Sequence, residues 1–193
     1  MEVPARIRRV PCLAALLALL ALALAPAAPS AAASTPSCRG ADAIPTAATL
    51  HRVRAATMCL VNRERRRRGL RRLRTNRTLQ ASASAYAREM VRRSFFDHVT
   101  PSGETFAERI REQTRYLAGT LRWEIGENLA WGTGASATPR EIVASWMHSA
   151  GHRRNILHAA FREMGLGVAV GAPVHVATAS RAATYANHFG RRG

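Results

Sequence analysis

Apolar residues recur along this chain in two rhythms, and the change between them falls just past residue 157. Over 46–68, Leu50, Val53, Thr57, Leu60 and Val61 stand three or four positions apart while arginines fill the other face, which predicts an amphipathic helix. Gly69 follows where a left-handed C-cap belongs. The run Arg65-Arg66-Arg67-Arg68 sets cations at the negative end of the helix dipole, as a solvated helix end does. A second helix is predicted to about residue 94 after Asn76, a good N-cap, with Leu79, Ala83, Tyr86, Ala87, Met90 and Val91 as its buried stripe. Pro, Ser and Gly punctuate 95–103 as a loop, and a third helix begins at Glu104 or Thr105 and carries Phe106 and Ile110. Residues 123–132, aromatic and apolar between glycines, read as an extended or loop segment close to the core. Thr138-Pro139-Arg140-Glu141 has an N-cap, a first-turn proline and a box glutamate in order, and opens a fourth helix over 139–148 that buries Ile142, Val143 and Trp146.

Beyond Leu157 the period shortens to that of strands. Residues 164–170, 174–178 and 184–189 are predicted as three strands, with the turn Gly171-Ala172-Pro173 between the first two. About four helices around a small, mostly antiparallel sheet make a layered α+β domain.

The first third of the chain changes the picture of where the protein goes. Arg6, Arg8 and Arg9 precede an almost unbroken Leu/Ala run over 12–25, followed by Pro26, Pro29 and Ala31-Ala32-Ala33. That is the layout of a secretory signal peptide cleaved after Ala33. An uncleaved anchor needs about 20 apolar residues, and this run is shorter. The expected organisation is a signal peptide over 1–33, an extended N-terminal arm over 34–47, and one domain over 48–193. Cys12 leaves with the leader, so an exported chain keeps Cys38 and Cys59, an even pair that reads as one disulfide. It would close a loop of about 20 residues and contribute on the order of 3 kcal/mol. Two buried free thiols are the alternative.

Charge points to the surface. All 29 basic residues among the 193 are arginine, the formal net charge is +17, and loss of the leader lowers it by only two. Such a surface adheres to anionic cell-wall polymer or an acidic membrane surface. With no nucleic-acid-binding motif and 6% aromatic residues, a specific nucleic-acid reader is not expected.

Candidate chemistry gathers in three places: Phe96-Asp97-His98, Gly126-Glu127-Asn128-Leu129, and Gly151-His152-Arg153-Arg154-Asn155-Ile156-Leu157. His98 and His152 lie in loop or capping contexts beside other polar groups, where binding chemistry concentrates. His51, His158, His175 and His188 are assigned structural or solvent-facing roles. Glu127 stands in an apolar stretch and needs a partner if buried. Two histidines and one carboxylate can hold zinc with an open fourth position, or form a hydrogen-bonded triad that braces the fold; both readings stand. A serine hydrolase lacks its Gly-x-Ser-x-Gly elbow, a cysteine protease lacks a spare thiol, and Glu124 with Glu127 would point to opposite faces of a strand.

Five ordered motifs then converge: Cys59-Leu60-Val61-Asn62-x-Glu64-Arg65, Phe96-x-His98-x-x-Pro101-x-Gly103, Gly126-Glu127-Asn128-Leu129-Ala130-x-Gly132, Trp146-Met147-x-Ser149-x-Gly151-His152-Arg153-x-Asn155-Ile156-Leu157 and Phe161-x-Glu163-x-Gly165-x-Gly167-Val168-Ala169. Together they resemble the CAP superfamily (cysteine-rich secretory, antigen 5 and pathogenesis-related proteins, or SCP-domain proteins), in its bacterial secreted branch, over about residues 50–189. The resemblance implies an α-β-α sandwich with a central cleft of two histidines and two glutamates, whose histidines bind zinc or another divalent cation in some members. His98 and His152 match the two histidines and Glu127 the first glutamate. Ser149 stands where the second glutamate is expected, and Asn187-His188 where a Gln-Asp pair is more usual.

The expected function is a secreted binding module, monomeric and associated with the cell wall. Its cleft of His98, Glu127, Asn128, Ser149 and His152 would take a divalent cation on His98 and His152, with a lipid or peptide as the expected class of ligand. The alternatives are a metal-assisted hydrolase with Glu127 as general base, and a basic wall-associated structural factor.

Overall fold

The computed structural model describes residues 37–176 and 181–193. The leader and its Ala33 cleavage point lie outside the described residues, as do the last two positions of the predicted 174–178 strand. No helix among the described residues is long and apolar enough to cross a membrane.

Among the described residues, five α-helices and four strands form the fold. They run α1 (Leu50–Arg66), β1 (Arg74–Thr75), α2 (Arg77–Arg93), α3 (Phe106–Glu112), β2 (Trp123–Thr133), a 3-10 turn (Gly134–Ala137), α4 (Pro139–His148), α5 (Ala150–Leu157), β3 (Glu163–Val170) and β4 (Ala182–Arg192). The sheet order is β1-β3-β4-β2, parallel only between β1 and β3 and antiparallel elsewhere. Residues 123–132 are therefore a full strand on the sheet edge, paired along its length with β4. Residues 174–176 form no strand; β3 ends at Val170, and Gly171 N donates to Ala182 O at the start of β4. The stretch from Gly151 to Leu157 belongs to a fifth helix.

Alternation along the strands sorts side chains into two layers. Met164, Leu166, Val168, Tyr185 and Phe189 pack with Val53, Leu60, Trp146 and Ile156 of α1, α4 and α5. Ala169, Ala186 and Leu129 face the other way, against Ala83, Tyr86, Ala87 and Met90 of α2. On that second face β3 carries glycine because α2 lies directly on it. A Cβ at Gly165 would sit 2.1 Å from the backbone of Leu79 and Gln80, and one at Gly167 would sit 2.1 Å from Ala83 O. The result is an α-β-α sandwich.

Local signals explain the helix ends. The Asn76 side chain accepts from Leu79 N, and Thr105 closes a capping box with Glu108 at the start of α3. Thr138 precedes Pro139 at the start of α4, yet its side chain makes no capping bond, so the predicted box with Glu141 does not form. The predicted disulfide joins Cys38 to Cys59 and ties the arm to α1. Turns at 39–42 and 47–49 fold that arm back, and Asp42 pairs with Arg140 at the start of α4.

One arginine of the 65–68 run departs from the solvated reading. Arg65 is fully buried and donates to the carbonyls of Arg71 at 2.8 Å, Ile156 at 2.7 Å and His158 at 3.0 Å. It falls one turn after Val61, on the inward stripe of α1, and fastens the end of α5 to α1.

The close approach of α2 yields a direct test. Gly167→Ala must push α2 away from β3 and is expected to lower unfolding free energy by about 2–3 kcal/mol in urea melts. Gly134→Ala, where a Cβ would meet nothing within 4 Å but the backbone φ is +53°, should cost about 1 kcal/mol.

Candidate functional site

Glu127 sits on β2, the edge strand, and alternation turns its side chain toward the α2–α3 layer while Asn128 turns toward α5. Its carboxylate is almost fully enclosed, with 2% of the side chain exposed. Burial of this kind demands replacement of the lost water, and four bonds supply it. His98 Nδ1 lies 2.8 Å from Oε1 and His188 Nε2 lies 2.9 Å from Oε2. Arg109 NH2 donates to both oxygens, at 3.1 and 3.0 Å. An ionised carboxylate only accepts, so His98 carries its proton on Nδ1 and His188 on Nε2. The ring atom of His98 left for a ligand is Nε2.

Arg109 holds more than the carboxylate. Its NH1 donates to His98 O at 3.0 Å and Glu104 O at 3.2 Å, which fixes both ends of the loop that carries His98. Its guanidinium carbon lies 3.5 Å from the centre of the Tyr86 ring, a cation–π contact in a dry setting. Tyr86 in turn donates its hydroxyl to Asp97 O at 2.6 Å. The loop bearing His98 is thus anchored through its backbone while the His98 side chain stays about half exposed (52%).

The other side of β2 places His152. Asn128 donates to His152 O at 3.0 Å, and Asn155 donates to Glu127 O at 3.0 Å and to Asn128 Oδ1 at 2.9 Å. α5 is therefore stitched to the edge strand by two amides, and His152 is half-buried near enough to His98 to feel its charge. Ser149 is the N-cap residue of α5 without a side-chain cap bond, and it takes no part in this network. Of the expected set, His98 and Glu127 are bonded directly, Asn128 and His152 join through the α5 backbone, and Ser149 stands apart.

Burial alone would raise the Glu127 pKa, but the bonds from His188 and His98 and the charges of His188 and Arg109 outweigh it and bring the value down from 4.5 to about 2. The bond to Glu127 raises His98 above its ordinary 6.5. Burial, followed by the charge of His98, lowers His152 below it.

With Glu127 as a third ligand, this donor set does not fit a protein-held divalent cation. Among the described residues no three His, Cys, Asp or Glu side chains are arranged to hold a metal ion. The cause is visible: the guanidinium of Arg109 already occupies the positive position between both Glu127 oxygens, and Ser149 offers no carboxylate. Of the polar trio only His98 and Glu127 are hydrogen-bonded through their side chains, and Arg109 and His188 complete that cluster as the members that sequence reasoning missed. Arg109 stands three residues after Phe106 and next to Ile110, inside the apolar phase of α3, and that was its signal. His188 lies directly opposite Glu127 across the β2–β4 ladder, a pairing visible only once 123–132 is read as a strand.

The profile of the cysteine-rich secretory protein family (CAP) matches residues 58–179. Protein YkwD of Bacillus subtilis (strain 168) is 36% identical over 108 residues, which is 56% of this chain and 39% of that protein, so the match spans well under half of the relative's length. An outer surface protein of Borrelia burgdorferi has the same fold (TM-score 0.56, 20% identity, 70% of this chain and 90% of that one). So does an extracellular protein containing an SCP domain from Bacillus anthracis (TM-score 0.55, 22% identity, 75% of this chain and 43% of that one).

The cluster generates three expected outcomes. A depressed carboxylate stabilises the fold above its ordinary value of 4.5, and that contribution disappears as pH falls toward about 2. Urea melts from pH 6 to pH 2 should lose about 3 kcal/mol from Glu127, and Glu127→Gln should flatten that part of the slope. Arg109→Ala leaves the carboxylate buried without its cation and should cost about 3–5 kcal/mol at neutral pH. In an NMR titration, His98 should titrate above 6.5 and His152 below it, and Glu127→Gln should return His98 toward its ordinary value.

Proposed function

The chain belongs to the cysteine-rich secretory protein family, and we propose that this member is an extracellular binding module whose cleft holds its ligand on His98 and His152 without a resident divalent cation. The observation that carries this reading is the commitment of both Glu127 oxygens to Arg109, His98 and His188. A carboxylate so held, with its pKa near 2, has no lone pair directed at a water and little basicity at neutral pH, so it does not serve a hydrolase as general base.

What stays open is suited to recognition. His98 Nε2 and the His152 ring are available for hydrogen bonding, and Phe96 and Val99, each 39% exposed, flank His98 with apolar surface. A lipid or a short apolar peptide with one hydrogen-bond donor for His98 Nε2 meets both requirements. Export is supported by the leader layout of 1–33, by the disulfide, and by relatives described as outer surface and extracellular proteins. The arginine-rich composition, with a formal net charge of +17, supports association with an anionic cell wall.

The reading is tested with the exported protein and its His98→Ala/His152→Ala variant. Native mass spectrometry of protein recovered from the medium should find a non-covalent ligand on wild type and none on the variant. Zinc titration should give the same weak uptake for both, and peptide and ester panels should show no turnover. Stoichiometric zinc binding by wild type alone, or hydrolysis lost in a folded Glu127→Gln variant, would overturn it.

A further inference from the structure

A concavity that shares no residue with the His98, Glu127 and His152 cluster opens at the end of the sheet where β1, β3 and β4 begin or finish. It encloses about 1110 Å³, and Arg71, Arg72, Arg74, Arg162 and Arg192 all line it. Its one acidic side chain is Glu163, whose Oε1 accepts from Asn76 at 2.9 Å and whose Oε2 accepts from Tyr116 at 2.7 Å. Arg162 is spent on the carbonyls of Ala159, Ala160 and Phe161. Arg192 stacks over the Tyr116 ring at 4.6 Å, with its Nε 3.5 Å from Glu163. Arg71, Arg72 and Arg74 are exposed, and their side chains have no bonded partner among the described residues. With Glu163 counted against them, the arginines leave an excess of positive charge.

The backbone beneath these three residues is rigidly held. Arg65 binds Arg71 O at 2.8 Å, Asn62 binds both Leu73 N and Leu73 O, and Arg74 N donates to Arg162 O at 2.9 Å. Leu73 points inward and is buried, so Arg72 and Arg74 flank it on the outer side. Residues two apart on an extended segment repeat every ~7 Å. Fixed backbone, free cations and regular spacing together describe a site prepared for a repeating anion, since the ordering cost is met in the folded protein.

We propose that this groove binds a polyol-phosphate polymer, a flexible chain of phosphodiesters whose successive phosphates rest on Arg72 and Arg74 with Arg71 alongside. Guanidinium forks suit phosphate oxygens, two donors to one group. No aromatic ring lines the groove, so single-stranded nucleic acid finds no platform for its bases. The site is recessed, and a flat membrane surface does not enter it. A thin polymer without bases fits both conditions.

The test uses the exported chain, polyglycerol phosphate as the probe, and Arg71→Gln/Arg72→Gln/Arg74→Gln against a charge-matched control, Arg66→Gln/Arg88→Gln/Arg111→Gln. All six side chains are exposed, and circular dichroism and melting confirm that both variants are folded. Wild type should bind the polymer with an affinity that falls as salt rises. The groove variant should bind at least about tenfold more weakly at physiological salt, with the log–log salt slope reduced by about two, as loss of three phosphate contacts on a single strand requires. The control should change far less. Absence of wild-type binding, or equal loss in both variants, overturns the proposal. So does equal or tighter wild-type binding to an oligo-dT strand or to phosphatidylglycerol vesicles.

Discussion

A carboxylate stripped of water among aromatic rings stays ionised only where donors replace the hydration it has lost, and Glu127 imposes that requirement on everything around it. Arg109 meets most of it, and in doing so draws α3 onto the sheet, holds the His98 loop at His98 O and Glu104 O, and lies flat on Tyr86 of α2. His188 meets the rest from the neighbouring strand. Helix, loop and two strands are thereby committed to one geometry. The His98 imidazole gains a fixed position and a fixed tautomer while keeping one ring nitrogen available.

The same cluster separates two ways of using one fold. In a cleft with a second carboxylate and no competing cation, two imidazoles and an acid can share a metal. Here serine replaces the acid at 149 and a guanidinium fills the positive position, so electrostatic need is already satisfied inside the protein. What remains exposed beside the cluster is the His98 ring and the apolar surface of Phe96 and Val99. Unsatisfied charge is found elsewhere, on the three free arginines above the sheet end, where the backbone is tied down by Asn62 and Arg65.

Much of this was legible before any coordinates. The apolar stripes of α2 and α4 gave their helices nearly to the residue and that of α1 to within four, Asn76 and Thr105 marked the starts of α2 and α3, and the even cysteine pair gave the disulfide. His98 and Glu127 were expected together and are bonded. The failures share one physical source. Arg65 was read with its run as solvent-facing and Arg109 was passed over, although Arg65 one turn past Val61 and Arg109 three past Phe106 both occupy apolar phases of their helices. Position in the helical period, not residue class, decides burial when carbonyls or a carboxylate wait inside. His188 was hidden for a different reason: its partner lies 61 positions away, and only strand register brings the two face to face. The extra helix α5 escaped because polar Gly151-His152-Arg153-Arg154-Asn155 carries no apolar stripe, and tertiary amide bonds from Asn128 and Asn155 hold it instead.

The central claim is that an internal guanidinium takes the place a cation would occupy in this cleft. A crystal structure determined at neutral pH after soaking in millimolar zinc tests it most directly. Arg109 should still bridge both oxygens of Glu127, with no metal density among His98, Glu127 and His152. Arg109 swung away, with zinc held by those three side chains, would contradict it.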